Sequence, residues 1–321
     1  MPTPSRPSRR KPLAVAGLAA VLLLAAFATP SRSGAAPAAA PQDDAPPAAE
    51  LPLRDWPISA AAARGRAAYL ENCVGCHGPE GEGDGPAAAF LNPLPRNFQV
   101  NKFKFRSTRA GDLPTDDDLL RTITYGLPGS SMPGFPLLHE SKRRDLVQYV
   151  LHLAAYGEGR ALARRRMMEE EIGLDELRKQ LPDVVAKVRR EFFDARKTIE
   201  VPPEPAETAE SLALGKRLFL KSCAACHGET GRGDGPSSNS LRDWRDAEIR
   251  ARDFTSGVFR AGDSGRDLFL RLRTGIAGTP MPAFSEPDDE LWAIVHYVRS
   301  LKRPGAVPVT RRMGRIPGAE K

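Results

Sequence analysis

Four cysteines are all the chain contains, and they fall into one pattern written twice. Cys73-Val74-Gly75-Cys76-His77 and Cys223-Ala224-Ala225-Cys226-His227 repeat C-x-x-C-H at a distance of 150 residues. Two thiols at this spacing, with histidine directly behind the second, suit covalent haem attachment: the thiols add to porphyrin vinyl groups and the imidazole ligates iron. The other uses of a C-x-x-C pair fit less well. Zinc asks for four ligands, whereas each copy offers two thiols and one imidazole with no further cysteine. A redox dithiol asks for a βαβ setting that the sequence does not suggest, and neither it nor a structural disulfide requires the histidine. The duplication predicts two covalently bound c-type haems, with His77 and His227 as iron ligands.

A further ligand for each iron is suggested by methionine out of its usual place. Met132 lies in Leu127-Pro128-Gly129-Ser130-Ser131-Met132-Pro133-Gly134-Phe135, among turn formers and not on a periodic apolar face. Thioether is a good ligand for haem iron. The second copy tests the idea, because an internal repeat supplies each functional residue twice. Met281-Pro282 matches Met132-Pro133, Phe284 matches Phe135, and the His-to-Met separations are 55 and 54 residues. Met167, Met168 and Met313 fall outside the repeats. Gly65, Tyr69, Gly81, Gly83, Asp84, Gly85 and Pro86 recur as Gly215, Phe219, Gly231, Gly233, Asp234, Gly235 and Pro236.

The elements that must hold these residues are mostly helical. Ala60 to Asn72 is Ala-rich, carries Tyr69 and Leu70 on its expected buried side, and delivers the chain to Cys73. The Gly/Pro-rich stretch after His77 is a loop, with glycines that permit the backbone to approach the porphyrin. Phe90, Phe98, Phe103 and Phe105 come next, without helical periodicity, and either line a haem pocket or fill a plain core. Asp116-Asp117-Asp118 opens a helix through Tyr125 that stops at Gly126, the acids suiting the positive end of its dipole. A closing helix is expected from Ser141 to Ala155, with Leu146-Val147-Gln148-Tyr149-Val150 matched by Ile294-Val295-His296-Tyr297-Val298.

With these residues in order in both halves, the chain resembles a tandem of class I c-type cytochrome domains over about residues 59–156 and 209–303. The resemblance implies an all-α fold in which the first and last helices of each domain cross at a small residue packed on aromatics. The matching positions are Gly65 with Tyr149, and Gly215 with Trp292 and Tyr297; the first half has Arg144 where the second has Trp292. Two tandem cytochrome c domains, 58–157 and 208–304, are then joined by a charged helical linker, 158–207.

The linker is outside the family pattern. Over 158–200, eleven Lys or Arg nearly balance ten Asp or Glu, so a solvated face is expected. Leu174, Leu177, Leu181, Val184, Val185, Val188 and Phe192 recur at helical intervals on the other face. Two amphipathic helices broken near Pro182 are expected, with Asp175/Lys179 and Asp183/Lys187 as i,i+4 pairs. The second half also holds an insertion, Leu241 to Arg250, whose arginines could meet haem propionates or a partner, a solvated helix face being the favoured account. Arg96 and Arg252, each two residues before a repeated phenylalanine, are candidate partners of haem propionates. His139, His152 and His296 share no position between halves and are expected as surface or helix residues.

The remaining segments bear on location. Residues 1–12 are polar and basic, and Leu13 to Ala28 runs without a charge to Ala26-Phe27-Ala28, which predicts a secretory signal or an uncleaved anchor over 1–28. Either would export the rest of the chain, most simply to the periplasm. Ala/Pro-rich residues 29–57 read as a flexible tether and 305–321 as a loose basic tail. The net charge of +7 falls to +3 without Arg6, Arg9, Arg10 and Lys11, too little and too dispersed for a nucleic-acid partner.

Histidine and methionine together fill both axial positions and leave no open site on iron. The expectation is a dihaem electron carrier, passing single electrons between a donor and an acceptor redox protein through small, transient interfaces. Two alternatives stand beside it. One is a dihaem peroxidase or sulfur-compound dehydrogenase, which needs an iron that opens or an unusual ligand such as cysteine. The other is a fixed cytochrome subunit of a respiratory membrane complex.

Overall fold

The computed structural model describes residue 51 and residues 53–304; the expected leader, nearly all of the tether and the basic tail lie outside the described residues. The regular elements described are helices, and extended pairing is confined to two isolated bridges, Thr108 with Thr198 and Arg242 with Glu248. The chain is all-α, with two helical domains in tandem.

In the first half, α1 (Ala60–Asn72) starts at Ser59, whose hydroxyl accepts from Ala62 N, and ends on Cys73. The one-turn α2 (Val74–His77) carries the attachment motif. Helix α3 (Asp116–Tyr125) is opened by a reciprocal capping box between Thr115 and Asp118 and stops at Gly126. Helix α4 (Glu140–Glu169) closes the domain against α1. The second half repeats the order with α7 (Ala209–Ser222), α8 (Ala224–His227), α9 (Gly265–Thr274) and α10 (Asp288–Ser300), and α7 packs on α10. Between them lie α5 (Leu174–Lys179), α6 (Leu181–Val188) and one π-turn, Arg189–Asp194.

The helix crossings depend on glycine. A Cβ on Gly65 would run into the carbonyl oxygen of Asp145 and reach Tyr149 Cβ at 3.0 Å; one on Gly215 would run into that of Ala293 and reach Tyr297 Cβ at 2.9 Å. Trp292 is not at this crossing, but packs on Phe269 with ring centroids 4.8 Å apart. Backbone and tyrosine make the contact in both halves, so Arg144 leaves no gap in the first.

Several expectations are corrected. Tyr69 is fully buried as expected, but Leu70 is exposed, and Phe90 stands 87% exposed and lines nothing. Helix α4 does not end at Ala155. It continues for almost four turns through Gly157 and Gly159, where a Cβ would meet the Gln99 backbone and the Trp56 ring. These glycines are sites of close approach, not stop signals. The extension, with α5 and α6, forms a third small core of Leu51, Trp56, Tyr156, Ala163, Leu177, Val184 and Val188. The end of the expected tether is therefore part of the fold, and Tyr156 Oη donates to Leu51 O at 2.8 Å.

The two expected helices are present and part near Pro182: α5 ends at Lys179, Gln180 lies between, and Pro182 sits in the first turn of α6, where its missing N–H costs nothing. Lys179 pairs with Glu176 and Lys187 with Glu191, not with Asp175 and Asp183. Phe192 and Phe193 pack against both this core and that of the first half, so the apolar stripe of the linker joins the first domain's interior. His296 is 1% exposed and is a core residue, its Nδ1 3.2 Å from Ser211 Oγ. No described helix is long and apolar enough to cross a membrane.

Candidate functional site

The two attachment motifs have the same local build. In each, the backbone N–H of the histidine donates to the carbonyl of the first cysteine at 2.9 Å, and that of the second cysteine does so at 3.2 Å, closing one tight turn. Gly83 N donates to His77 O and Gly233 N to His227 O, both at 2.8 Å. The turn thereby holds both thiols and the imidazole on one short scaffold. None of the four cysteines is in a disulfide. Among the described residues no group of three or more His, Cys, Asp or Glu side chains converges on a metal position.

Each imidazole is oriented by its surroundings. His77 Nδ1 donates to Arg96 O at 2.9 Å, and His227 Nδ1 to Arg252 O at 3.2 Å. A carbonyl only accepts, so the proton is on Nδ1 and the lone pair is on Nε2, ready for a metal. Phe98 stacks on His77 at 4.4 Å and Phe254 on His227 at 4.5 Å. Burial lowers the pKa of both imidazoles, which favours the neutral, ligating form.

The methionine loops match bond for bond. Leu127 N donates to Met132 O at 3.0 Å and Ile276 N to Met281 O at 3.1 Å; Phe135 N reaches Ile123 O and Phe284 N reaches Leu272 O, both at 2.9 Å. Ser130 Oγ accepts from Met132 N and Thr279 Oγ1 from Met281 N, at 3.3 and 3.2 Å. The second half brings its expected residues together, since Cys223, Cys226, His227 and Met281 line one cavity of about 610 Å³. Phe219, Phe254, Phe259, Leu268 and Ile294 supply its apolar walls. Met132 is placed by the same backbone pattern relative to α3 as Met281 is relative to α9.

The cations at these sites suit an anionic group. Arg96 Nη1 and the Nε atoms of Arg245, Arg260 and Arg271 are buried without a hydrogen-bond partner. Buried donors of this kind are costly unless an anion meets them. Burial, with Arg96 as the next cause, lowers Lys104 to about 8; Arg260 and Arg245 add to this repulsion, while Asp243 opposes it. Burial likewise lowers Arg96, Arg260 and Arg271 to about 10. The propionates of haem are the anions such a cluster lacks, and a large apolar cavity with two thiols and an imidazole is what the macrocycle requires. The residues fit the group.

The sequence offers the insertion's arginines and Phe105 to a haem, but not a wall shared across the two halves. Lys104, Phe105, Asn92 and Pro93 of the first half line the cavity of the second. Arg245 belongs to the insertion, which is a tight hairpin and not a solvated helix face. The signal available beforehand was the insertion itself, as a stretch without counterpart in an otherwise close repeat.

A twofold helical fold with covalent attachment points and matched methionine loops is that of a dihaem electron-transfer protein. The cytochrome c family profile matches residues 62–154 and 212–302, and the chain belongs to that family. It carries two covalently bound c-type haems, attached at Cys73 and Cys76 and at Cys223 and Cys226, and serves haem-based electron transfer. Among solved structures it is similar to a chain of the Kuenenia stuttgartiensis reducing HAO-like protein complex. That match is at 33% identity and TM-score 0.61, covering 79% of this chain and 100% of that one. No curated protein sequence matches the chain.

Proposed function

We propose that the protein passes single electrons between redox partners through two haems, each ligated by histidine and methionine (His77 with Met132, His227 with Met281), in an exported compartment. When bound, the haem supplies a one-electron iron couple. The residues of the chain hold that group still and dry. His77 and His227 are fixed by carbonyl acceptors and stacked phenylalanines, the methionine loops by backbone bonds, and the apolar walls exclude water.

The observation that carries this reading is the shared wall. Lys104 and Phe105 of the first half line the cavity that holds His227 and Met281, so both halves wall the second haem site, an arrangement that suits internal electron exchange. The matched methionine loops weigh against a peroxidase or dehydrogenase, which needs an axial position free for substrate. The likeness to a chain from a protein complex supports a partner that is itself a complex, engaged in passing or as a fixed assembly. Export rests on the uncharged run from Leu13 to Ala28 and on the extracytoplasmic setting of haem attachment.

The test is optical. The oxidised protein is expected to show the Met–Fe(III) charge-transfer band at an intensity of one per haem, and the reduced protein to bind only traces of carbon monoxide. A band for one haem alone, together with turnover of peroxide, overturns the carrier reading.

A further inference from the structure

The insertion of the second half crosses to the first. Its hairpin is closed by Asp243, whose N–H donates to Ala247 O at 2.9 Å and whose carboxylate accepts from Arg245 N at 2.8 Å and Ala247 N at 3.2 Å. Asp246 takes a positive φ of 59° at the turn, and Arg242 pairs with Glu248 at 3.2 Å across the stem. Trp244 N donates to Gly278 O at 3.0 Å, which ties the hairpin to the loop that carries Met281.

Arg245 reaches out from this frame. Its Nη2 donates to Pro95 O at 2.8 Å, and the next carbonyl, that of Arg96, is the acceptor for His77 Nδ1. Its Nη1 lies 3.2 Å from where a Cβ of Gly83 would stand, and Gly83 N is the donor to His77 O. One guanidinium therefore touches both backbone segments that hold His77. At Gly233, the equivalent position in the second half, the nearest atoms all belong to Ala251 and Arg252. The straps around the two histidines are otherwise built alike, and this brace distinguishes them; the cavity of the second half has its own cations, Lys104, Arg260 and Arg271 among them. Arg245 Nε is buried without a partner, so it is available to an anion of the bound group.

We propose that Arg245, although carried by the second domain, is a positioning residue for the haem of the first: it braces the straps around His77 and places a fixed positive charge beside that haem. A cation in a poorly solvated site disfavours the more positive ferric state, so Arg245 raises the reduction potential of the first haem more than that of the second. The hairpin then makes the two haems unequal and gives internal electron flow a direction.

The inference rests on the dihaem reading, and the experiment separates the two. The full-length holoprotein and its Arg245→Gln and Arg245→Lys variants are titrated spectroelectrochemically, with the haems assigned through Met132→His and Met281→His, each of which lowers one potential. A pyridine haemochrome assay showing fewer than two haems in the unaltered protein sinks the dihaem reading itself. With two haems present, Arg245→Gln is expected to shift the equilibrium of the first haem toward ferric by at least about threefold, about 28 mV at 59 mV per decade for one electron. Arg245→Lys should restore most of the shift. No change at the first haem, or an equal change at both, overturns the proposal. Should the variants fail to fold, a crystal structure of the unaltered holoprotein decides: Arg245 Nε within hydrogen-bond reach of a propionate of the first haem supports it, and a guanidinium turned to solvent refutes it.

Discussion

The guanidinium of Arg121, on α3 of the first domain, grips the carboxylate of Asp267, on α9 of the second, through both of its terminal nitrogens. Burial alone would raise the Asp267 pKa, but the bonds from Arg121 outweigh it and hold the carboxyl below its ordinary range. Asp267 also accepts from Ser264 Oγ at 2.7 Å, and Ser264 caps α9 by accepting from Asp267 N, so the interdomain tie is fixed at the start of the helix. Its side chain is 5% exposed and that of Arg121 37%, so the pair is only partly screened.

Removing Arg121 leaves Asp267 with only Arg271 and Ser264 to offset its buried charge. Arg121→Met is expected to lower the unfolding free energy by about 2 kcal/mol, the value for a buried pair discounted for the exposure of the arginine. Asp267→Asn in that background should cost less than it does alone, because the pair is already lost. Denaturant unfolding of the four proteins of this cycle measures the coupling, and additive losses would show that the pair does not hold the domains together.

Helix crossing gives a second expectation. The Cβ added by Gly215→Ala meets a backbone carbonyl, which cannot swing aside as a side-chain tip can, so α7 and α10 must part. Overpacking of this kind costs about 1–3 kcal/mol. Gly65→Ala should behave likewise in the first domain. A thermal melt of each holoprotein, with the Met–Fe(III) band followed in parallel, is expected to show a lower midpoint. A midpoint within a degree of the parent would mean that the crossing is looser than the contacts indicate.

How much of the fold is legible in the chain alone depends on which forces are local. The bounds of α1, the stop of α3 at Gly126 and the crossing glycines are written in adjacent residues or recur at a fixed offset, so the repeat exposes them. Contacts between the halves are not encoded in either repeat. Nothing in the periodicity around Trp244 or Asp246 says that Arg245 will find Pro95 O, because that bond exists only after two folded bodies dock. Phe105 was legible as aromatic and apolar, but not as a wall of the other domain's cavity. Leu51 and Trp56 sit at the end of an Ala/Pro-rich run whose composition suggests no core, and they become buried because Gly159 leaves room for the indole.

His152 on α4 carries the last expectation, one of pH. Its ring stacks on Tyr149 at 5.8 Å, and burial lowers its pKa to about 4, the hydrogen bond with the Pro57 backbone offsetting only part of the shift. The unfolded chain titrates near the ordinary value of about 6.5. Between these values the unfolded state binds more protons than the native one, so stability rises with pH there. The contribution of His152 is complete above about pH 6.5, declines as the pH falls through the window, and stops changing below about pH 4. Its slope cannot exceed about 1.4 kcal/mol per pH unit for one proton, and partial exposure of the ring brings it lower. Unfolding free energies of the holoprotein and of His152→Gln, measured from pH 7 to 4, give the difference directly. The variant is expected to show a flatter dependence between pH 6.5 and 5, where few carboxylates titrate, and identical slopes there would mean that the ring is protonated in the folded protein.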